Sequence, residues 1–187
     1  NTSFSMTASN VNHLGYVENS GYVRNNISVG GQTKFKNLTL GGNVSFARSK
    51  QNTGVIGGGS AFNQYGRYLI QGRAWDMAHV PSQDRAGRPL SYLPGQYISP
   101  LWAAYHNTIT TWEERTVANL RASYKFSNAI SLNYTFGINT ANIFRDEIYD
   151  EFTDGQLLGL IQEDSYRQQD LQSTLILTFT PKIGKDL

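Results

Sequence analysis

The stretch between residues 50 and 115 carries most of the side chains that could recognise a ligand. Flat aromatic faces stack on sugar rings and arginine binds hydroxyl or carboxylate groups, so this mixture suits a glycan and would also accommodate a peptide. The alternative is that the aromatic side chains form the small core that a loop of this length needs to be ordered. The candidate contact residues are Trp75, Trp102, Trp112, Tyr92, Tyr97, Arg67, Arg73 and Arg88.

A second chemical feature is the acidic run "RDEIYDEFTDG", residues 145–155. Five carboxylates fall within nine residues, and such a density of hard oxygen ligands could hold Ca²⁺ through Asp146, Asp150 and Asp154. The spacing does not match an EF-hand, and a solvated acidic loop is the commoner outcome. Calcium is therefore a weak expectation.

Other chemistries find little support, and we expect no enzyme. The three histidines lie far apart, which argues against zinc, and the absence of cysteine excludes disulfides and thiolate sites. A formal charge of +2 without a Lys/Arg block argues against nucleic acid. No serine lies beside a histidine in sequence, so a hydrolase would need the fold to bring them together.

Regular alternation of apolar and polar residues predicts that most of the remaining chain forms β-strands. Each clear strand has one apolar face and one face of Ser, Thr, Asn, Gln, Gly, Lys and Arg, without Asp or Glu. A soluble sandwich usually places charges of both signs on its outer face, so this composition favours a different environment. The five clear strands are residues 27–35, 38–46, 118–126, 130–138 and 171–179, and a weaker one opens the chain at Phe4, Met6 and Ala8.

Short and long connections alternate between these strands. Lys36-Asn37 and Ser127-Asn128-Ala129 have the length of hairpin turns. The other connections are predicted to span about 15 residues before the strand at 27, about 70 between Ala47 and Val117, and about 30 between Thr140 and Gln169. Outer-membrane barrels alternate in this way, with tight periplasmic turns and long extracellular loops.

In such a barrel the apolar faces contact lipid and the polar faces line a wet lumen. Phe35 and Phe126 beside short turns, and Phe46 and Phe136 toward the long loops, would form aromatic girdles at the two interfaces. No run of 18 apolar residues predicts a membrane-spanning helix. The expected lumen-facing residues are Lys34, Arg121, Lys125, Asn133 and Gln172.

About six strands cannot close a large barrel, and an open sheet edge cannot lie in lipid. The chain also begins at Asn1 rather than Met. We therefore expect residues 1–187 to be an internal part of one antiparallel transmembrane β-barrel domain, with residues 50–115 inserted as a long extracellular loop.

Two passages resemble a known family. They are "ENSGYVRNNISVGGQTKFKNLTLGGNVSFARSK", residues 18–50, and "SPLWAAYHNTITTWEERTVANLRASYKFSNAISLNYTFG", residues 99–137. Both are similar to the barrel of SusC/RagA-type TonB-dependent outer-membrane transporters. Ser99 stands where that family often has Asn before Pro100, a departure that concerns the local turn of the loop.

The resemblance implies a barrel of about 22 strands, an N-terminal plug and a segment that engages TonB. It further implies import of an oligosaccharide or peptide across the outer membrane of a Gram-negative bacterium, beneath a SusD-like surface lipoprotein. The plug and the TonB-binding segment match nothing in these residues. The alternatives are a passive or structural outer-membrane barrel and a secreted all-β carbohydrate-binding module.

Overall fold

The computed structural model describes residues 1–53, 64–70, 72, 74–93 and 97–181. Most of them form one antiparallel sheet of six strands in the order β1-β2-β3-β6-β7-β8. The elements are β1 Thr2–Leu14, β2 Gly21–Phe35, β3 Leu38–Thr53, α1 Gln64–Ile70, β4 Ser91–Leu93, β5 Tyr97–Ile98, α2 Pro100–His106, β6 Thr108–Lys125, β7 Ile130–Tyr149 and β8 Leu160–Phe179. The prediction of an all-β antiparallel fold is confirmed.

The register between strands brings the predicted apolar faces together on one side of the sheet. Residues that lie opposite each other on paired strands share a face, so one row can be followed across the sheet. One such row is Met6, Val29, Val44, Ala118, Ile138 and Leu171. The alternation seen separately in each segment therefore describes a single continuous surface.

We call this surface the apolar band. On β3 it runs from Leu38 to Phe46, nine residues or about 26 Å of strand. Its side chains remain largely exposed, with Leu120 63% and Leu175 65% accessible. Its larger members are Phe4, Met6, Ile27, Val29, Phe35, Leu38, Leu40, Val44, Phe46, Leu120, Tyr124, Ile130, Leu132, Tyr134, Phe136, Ile138, Leu171, Leu175, Leu177 and Phe179.

Hairpin turns and longer connections lie at opposite edges of the sheet. Lys36-Asn37 and residues 126–129 connect strands at one edge, which we call the turn edge. Lys36 adopts a positive φ of 51°, a conformation that tight hairpins require. The longer connections meet at the other edge, the loop edge. Within the described residues β1 and β8 each have one neighbour, so the sheet is open.

The strands extend far beyond the predicted segments toward the loop edge. β3 continues to Thr53, β6 begins at Thr108, and β7 and β8 continue to Tyr149 and from Leu160. The strands of the sheet are connected by residues 15–20, 54–107 and 150–159. The predicted connections of about 15, 70 and 30 residues were therefore too long. Both faces of the extensions are largely polar, so the sequence shows no alternation there, whereas backbone pairing continues regardless of side-chain type.

The expected girdle of aromatic residues is only partly reproduced. Phe126 lies at the turn edge, where its ring meets that of Tyr124 edge-on at 4.8 Å between centroids. Phe136, however, lies opposite Leu120, and Leu120 lies opposite Gly42. This places Phe136 in the middle of the apolar band, two rows from Phe46. The assignment of Phe136 to the girdle nearest the long loops was wrong, because the offset between β3 and β7 could not be inferred from either segment alone.

Candidate functional site

The described part of the longest connection folds over the loop edge, and we call its described residues between 64 and 107 the cap. Its core is formed by Ile98, Trp102 and Ala103. Trp102 is only 2% exposed, and its ring stacks on His106 with 4.2 Å between centroids. Pro100 stands in the first turn of α2, where its missing N–H costs nothing. Trp102 therefore stabilises the cap rather than presenting a face to a ligand.

A tight turn around Asp84 positions the carbonyl group of Gly87, which accepts a hydrogen bond from the Trp102 side chain. Asp84 Oδ1 accepts hydrogen bonds from the backbone N–H groups of Ala86 and Arg88 at 2.8 and 2.9 Å. Arg88 Nε donates to Oδ2 at 2.8 Å. These hydrogen bonds, led by the backbone N–H of Arg88, hold the pKa of Asp84 below its ordinary value. Gly87, with φ of 82°, offers its carbonyl to Trp102 Nε1 at 3.0 Å.

An ion pair attaches α1 of the cap to the turn between β7 and β8. Arg67 Nη1 lies 2.6 Å from Asp154 Oδ2, and the Arg67 side chain is 4% exposed. The same carboxylate oxygen accepts a hydrogen bond from the backbone N–H of Ile98 at 3.0 Å. Asp154 thus joins three segments of the chain: α1, β5 and the β7–β8 turn.

The end of α2 is attached to the same turn. Asn107 Oδ1 accepts hydrogen bonds from the backbone N–H of Asp150 at 3.1 Å and from Thr153 Oγ1 at 2.8 Å. His106 Nδ1 lies 2.6 Å from Asp150 Oδ2. Thr153 and Asn107 are both buried. The cap and the β7–β8 turn are therefore held together by several polar contacts, of which the one between Thr153 and Asn107 is buried.

The turn between β1 and β2 supports the other side of the cap. Asn19 Nδ2 donates to the carbonyl of Ala104 at 3.1 Å, and Tyr105 Oη donates to Glu18 at 3.2 Å. A cavity of about 440 Å³ lies between this turn and the cap, with Val17 and Tyr68 in its lining. Burial, reinforced by the nearby Glu18 carboxylate, raises the pKa of Tyr68 to about 12.

The remaining aromatic and arginine candidates are scattered. Trp75 is half-buried in the cap, and its backbone N–H donates to Gly72 at 3.0 Å. Trp112 lies in β6 rather than in a loop, opposite Phe144 and on the same face as the apolar band. Arg73 lies outside the described residues, as do the side chains of Tyr92 and Tyr97, which belong to β4 and β5.

The three acidic candidates for calcium are not brought together. Asp154 is paired with Arg67 and Asp150 with His106. Asp146 lies within β7, opposite Thr110 and Glu163. In the part of the chain that the structure describes, no group of three or more His, Cys, Asp or Glu side chains is arranged to hold a metal ion.

The five expected lumen residues do share one face, opposite the apolar band. They lie in four consecutive rows. Counted from the turn edge, the first row contains Lys125, the second Lys34 and Asn133, the third Arg121 and the fourth Gln172. A shallow groove of about 360 Å³ on this polar face has Arg121 in its lining. Its further lining residues include Gln32, Gly41, Asn43, Asn119, Ser123, Asn133 and Thr135.

Small residues give this polar face its open shape. A side chain added at Gly137 would stand 3.0 Å from Asn119 Oδ1, so glycine leaves room for the asparagine.

The part of this polar face between the turn edge and the row of Asn119 is basic. On this part the described strands carry Lys34, Arg121 and Lys125 and no carboxylate.

Comparison with protein-family models and with curated proteins found no match. In the described ranges neither helix is long and apolar enough to cross a membrane. Family membership consequently remains a hypothesis based on the two passages that resemble SusC/RagA-type barrels.

Sequence reasoning missed the charged upper part of the polar face. There Glu113 pairs with Arg115 at 3.1 Å and Glu147 with Arg145 at 2.8 Å. Each pair is formed by residues two positions apart on one strand, which share a face. In the sequence, oppositely charged residues two positions apart indicate side chains that share one face of a strand. This signal could have predicted that the strands extend to these residues.

Proposed function

We propose that this chain forms part of the wall of an outer-membrane β-barrel that imports a large nutrient, an oligosaccharide or a peptide. The observation that carries the proposal is the apolar band. It is nine residues tall on β3, which is the length of strand that spans the hydrocarbon core when tilted. It extends over all six strands, with Thr33 and Ser173 among the few polar residues within it and Thr116, Thr140 and Gln169 continuing the row of Phe46 on β6 to β8.

Lipid is the environment that best suits this band. Most of its large side chains are exposed, and among the described residues no second layer packs against it. Soluble monomers rarely expose contiguous apolar patches larger than a few hundred Å². The opposite face is polar and rich in small residues, as the wall of a water-filled lumen requires.

The cap lies at the loop edge, which in this orientation faces the outside of the cell. Its attachment to two turns makes it a fixed platform rather than a free loop. Exposed side chains on and beside it, such as Tyr105, Arg88 and Tyr16, would contact the nutrient or a SusD-like lipoprotein. We further propose that TonB drives import through regions outside residues 1–187, and that the chain has a transport rather than a catalytic role.

Paired cysteine substitutions in neighbouring residues test the orientation. The chain contains no cysteine, so Leu120→Cys and Arg121→Cys can each be introduced into the full-length protein with its other cysteines replaced by serine. We expect a water-soluble maleimide to label position 121 in membranes and position 120 only after denaturation. Equal labelling of both positions in intact membranes would contradict the lipid-facing assignment.

The direction of the barrel is tested with two further positions. Cysteine at Tyr16 should react with an impermeant reagent added to intact cells, whereas cysteine at Lys36 should react only after cell disruption. The reverse pattern would contradict an extracellular cap.

Uptake measurements distinguish active import from the alternatives. Labelled oligosaccharide or peptide should enter cells only when TonB is present; uptake that is independent of TonB would indicate a passive barrel instead. If residues 1–187 expressed without detergent formed a soluble, cooperatively folding monomer, a secreted binding module would replace the membrane assignment.

A further inference from the structure

Two rows of residues lie directly beyond the apolar band, on the same face and toward the loop edge. We call them the boundary rows. Arg48 lies two residues beyond Phe46 on β3 and so shares its face. The first row is Asn10, Asn25, Arg48, Glu114, Asn142 and Arg167; the second is Asn12, Val23, Lys50, Trp112, Phe144 and Ser165.

The boundary rows are basic where they meet the apolar band. Arg48 pairs with Glu114 at 3.4 Å, and both side chains remain exposed. Within the described residues, Lys50 and Arg167 have no carboxylate within salt-bridge distance. In these two rows three cations thus lie with one anion, Glu114, on the same side as the apolar side chains; the next row toward the loop edge carries Asp146 and Glu163.

Aromatic rings lie among these cations. Lys50 Nζ lies 5.6 Å from the centre of the Trp112 ring, and Phe144 lies opposite Trp112 on β7. Tryptophan is enriched at the boundary between hydrocarbon and headgroups, where its ring body is apolar and its N–H remains hydrated. Long basic side chains at the same height extend toward lipid phosphates.

The polar face at the same height is arranged differently. There Arg115 and Arg145 are each paired with a glutamate on their own strand, whereas Arg24 has no carboxylate within salt-bridge distance among the described residues. Ion pairs therefore occur on both faces at this height. In the boundary rows Lys50 has no carboxylate within salt-bridge distance among the described residues, and Arg167 lies on β8, which has a neighbouring strand on one side only in this structure. A ligand of the boundary rows would carry negative charge and lie next to an apolar surface.

We propose that Arg48, Lys50 and Arg167 bind the phosphate groups of anionic lipid headgroups in the leaflet at the loop edge. The inference rests on the proposed function, because it requires the apolar band to lie in lipid. Arg48 and Arg167 are three strands apart, about 14 Å. The site is therefore wide enough for more than one phosphate, with Trp112 between the cations.

Fluorescence quenching by brominated lipids tests this. The full-length protein is reconstituted into neutral phosphatidylcholine vesicles containing a minor fraction of phosphatidylglycerol, and bromine is carried on the acyl chains of one lipid or the other. The ratio of quenching by the two lipids gives the preference of the protein surface for the anionic headgroup. We expect wild type to prefer phosphatidylglycerol by about fivefold.

A charge-matched pair of variants locates the preference. Arg48→Gln/Lys50→Gln/Arg167→Gln should reduce it to about one. Lys34→Gln/Arg121→Gln/Lys125→Gln removes the same charge from the polar face and should retain the wild-type preference. Equal preference in both variants would overturn the inference.

Two further outcomes separate the inference from its premise. If neither brominated lipid quenches the fluorescence, the protein is not in the bilayer and the proposed function itself fails. If both lipids quench equally in wild type, the barrel assignment survives and only the headgroup site fails. Inorganic phosphate should lower the preference no more than chloride at the same ionic strength; a specific loss would identify free phosphate as the ligand and overturn the lipid assignment.

Discussion

Arg67 Nη1 lies 2.6 Å from Asp154 Oδ2, and this contact joins the cap to the sheet. The two residues are 87 positions apart in the chain. Because the arginine is almost fully buried, its charge needs the carboxylate as a compensating partner. The pair is one of several contacts that hold the cap on the loop edge, and we expect it to be the most sensitive point of this region.

Removing one member of the pair should release the cap. We expect Arg67→Met to cost about 3 kcal/mol of local opening free energy, because Asp154 is left without its cation. Arg88→Met, which breaks the exposed pair with Asp84, should cost about 1 kcal/mol or less. Hydrogen exchange of the amides in α2 measures both. A similar effect of the two substitutions would argue against a special role for Arg67.

A charge placed in the apolar band should be far more costly than one placed beside it. Leu120 lies in the middle of the band, opposite Phe136, so Leu120→Arg should destabilise the full-length protein in vesicles by about 2–4 kcal/mol. Ser123→Arg, on the polar face of the same strand, should change stability by about 0.5 kcal/mol or less. Urea titration of folding into vesicles gives both values.

Alkaline pH should loosen the cap through Tyr68. The pKa of Tyr68 is raised from 10.0 to about 12 in the folded cap, so an opened cap releases the phenol proton at lower pH than a closed one. Stability is therefore complete below pH 10 and declines as the pH rises from 10 toward 12. Tyr68→Phe should remove that part of the decline, as measured by hydrogen exchange or proteolysis at a series of pH values.

Acid pH should loosen the turn around Asp84, because folding shifts the pKa of Asp84 down whereas it shifts the pKa of Tyr68 up. The pKa of Asp84 is lowered from 3.8 by the hydrogen bonds that its carboxylate accepts. Its contribution is present above pH 3.8 and is lost as the pH falls through the lower folded value. The indole N–H resonance of Trp102, which reports the bond to Gly87, should shift over this range in wild type but not in Asp84→Asn.

The two faces of the strands and the position of the tight turns follow from local sequence. Alternation of two residues is a property of neighbouring positions, so Leu132, Tyr134 and Phe136 could be assigned to one face before any partner strand was known. Lys36-Asn37 likewise determines a hairpin by its length. The common face of Lys34, Arg121 and Asn133 is the direct outcome of that periodicity.

The tertiary structure decided what depends on register and on distant contacts. Phe136 was misplaced, and Trp112 was counted with the loop residues, because the offset between strands is determined by pairing across the sheet. Strand extensions with polar faces carry no alternation, so Arg48 and Arg167 could be assigned to one row only once the strands were paired. Arg67 and Asp154 belong to separate segments without a shared pattern, and only the folded chain brings their charges together.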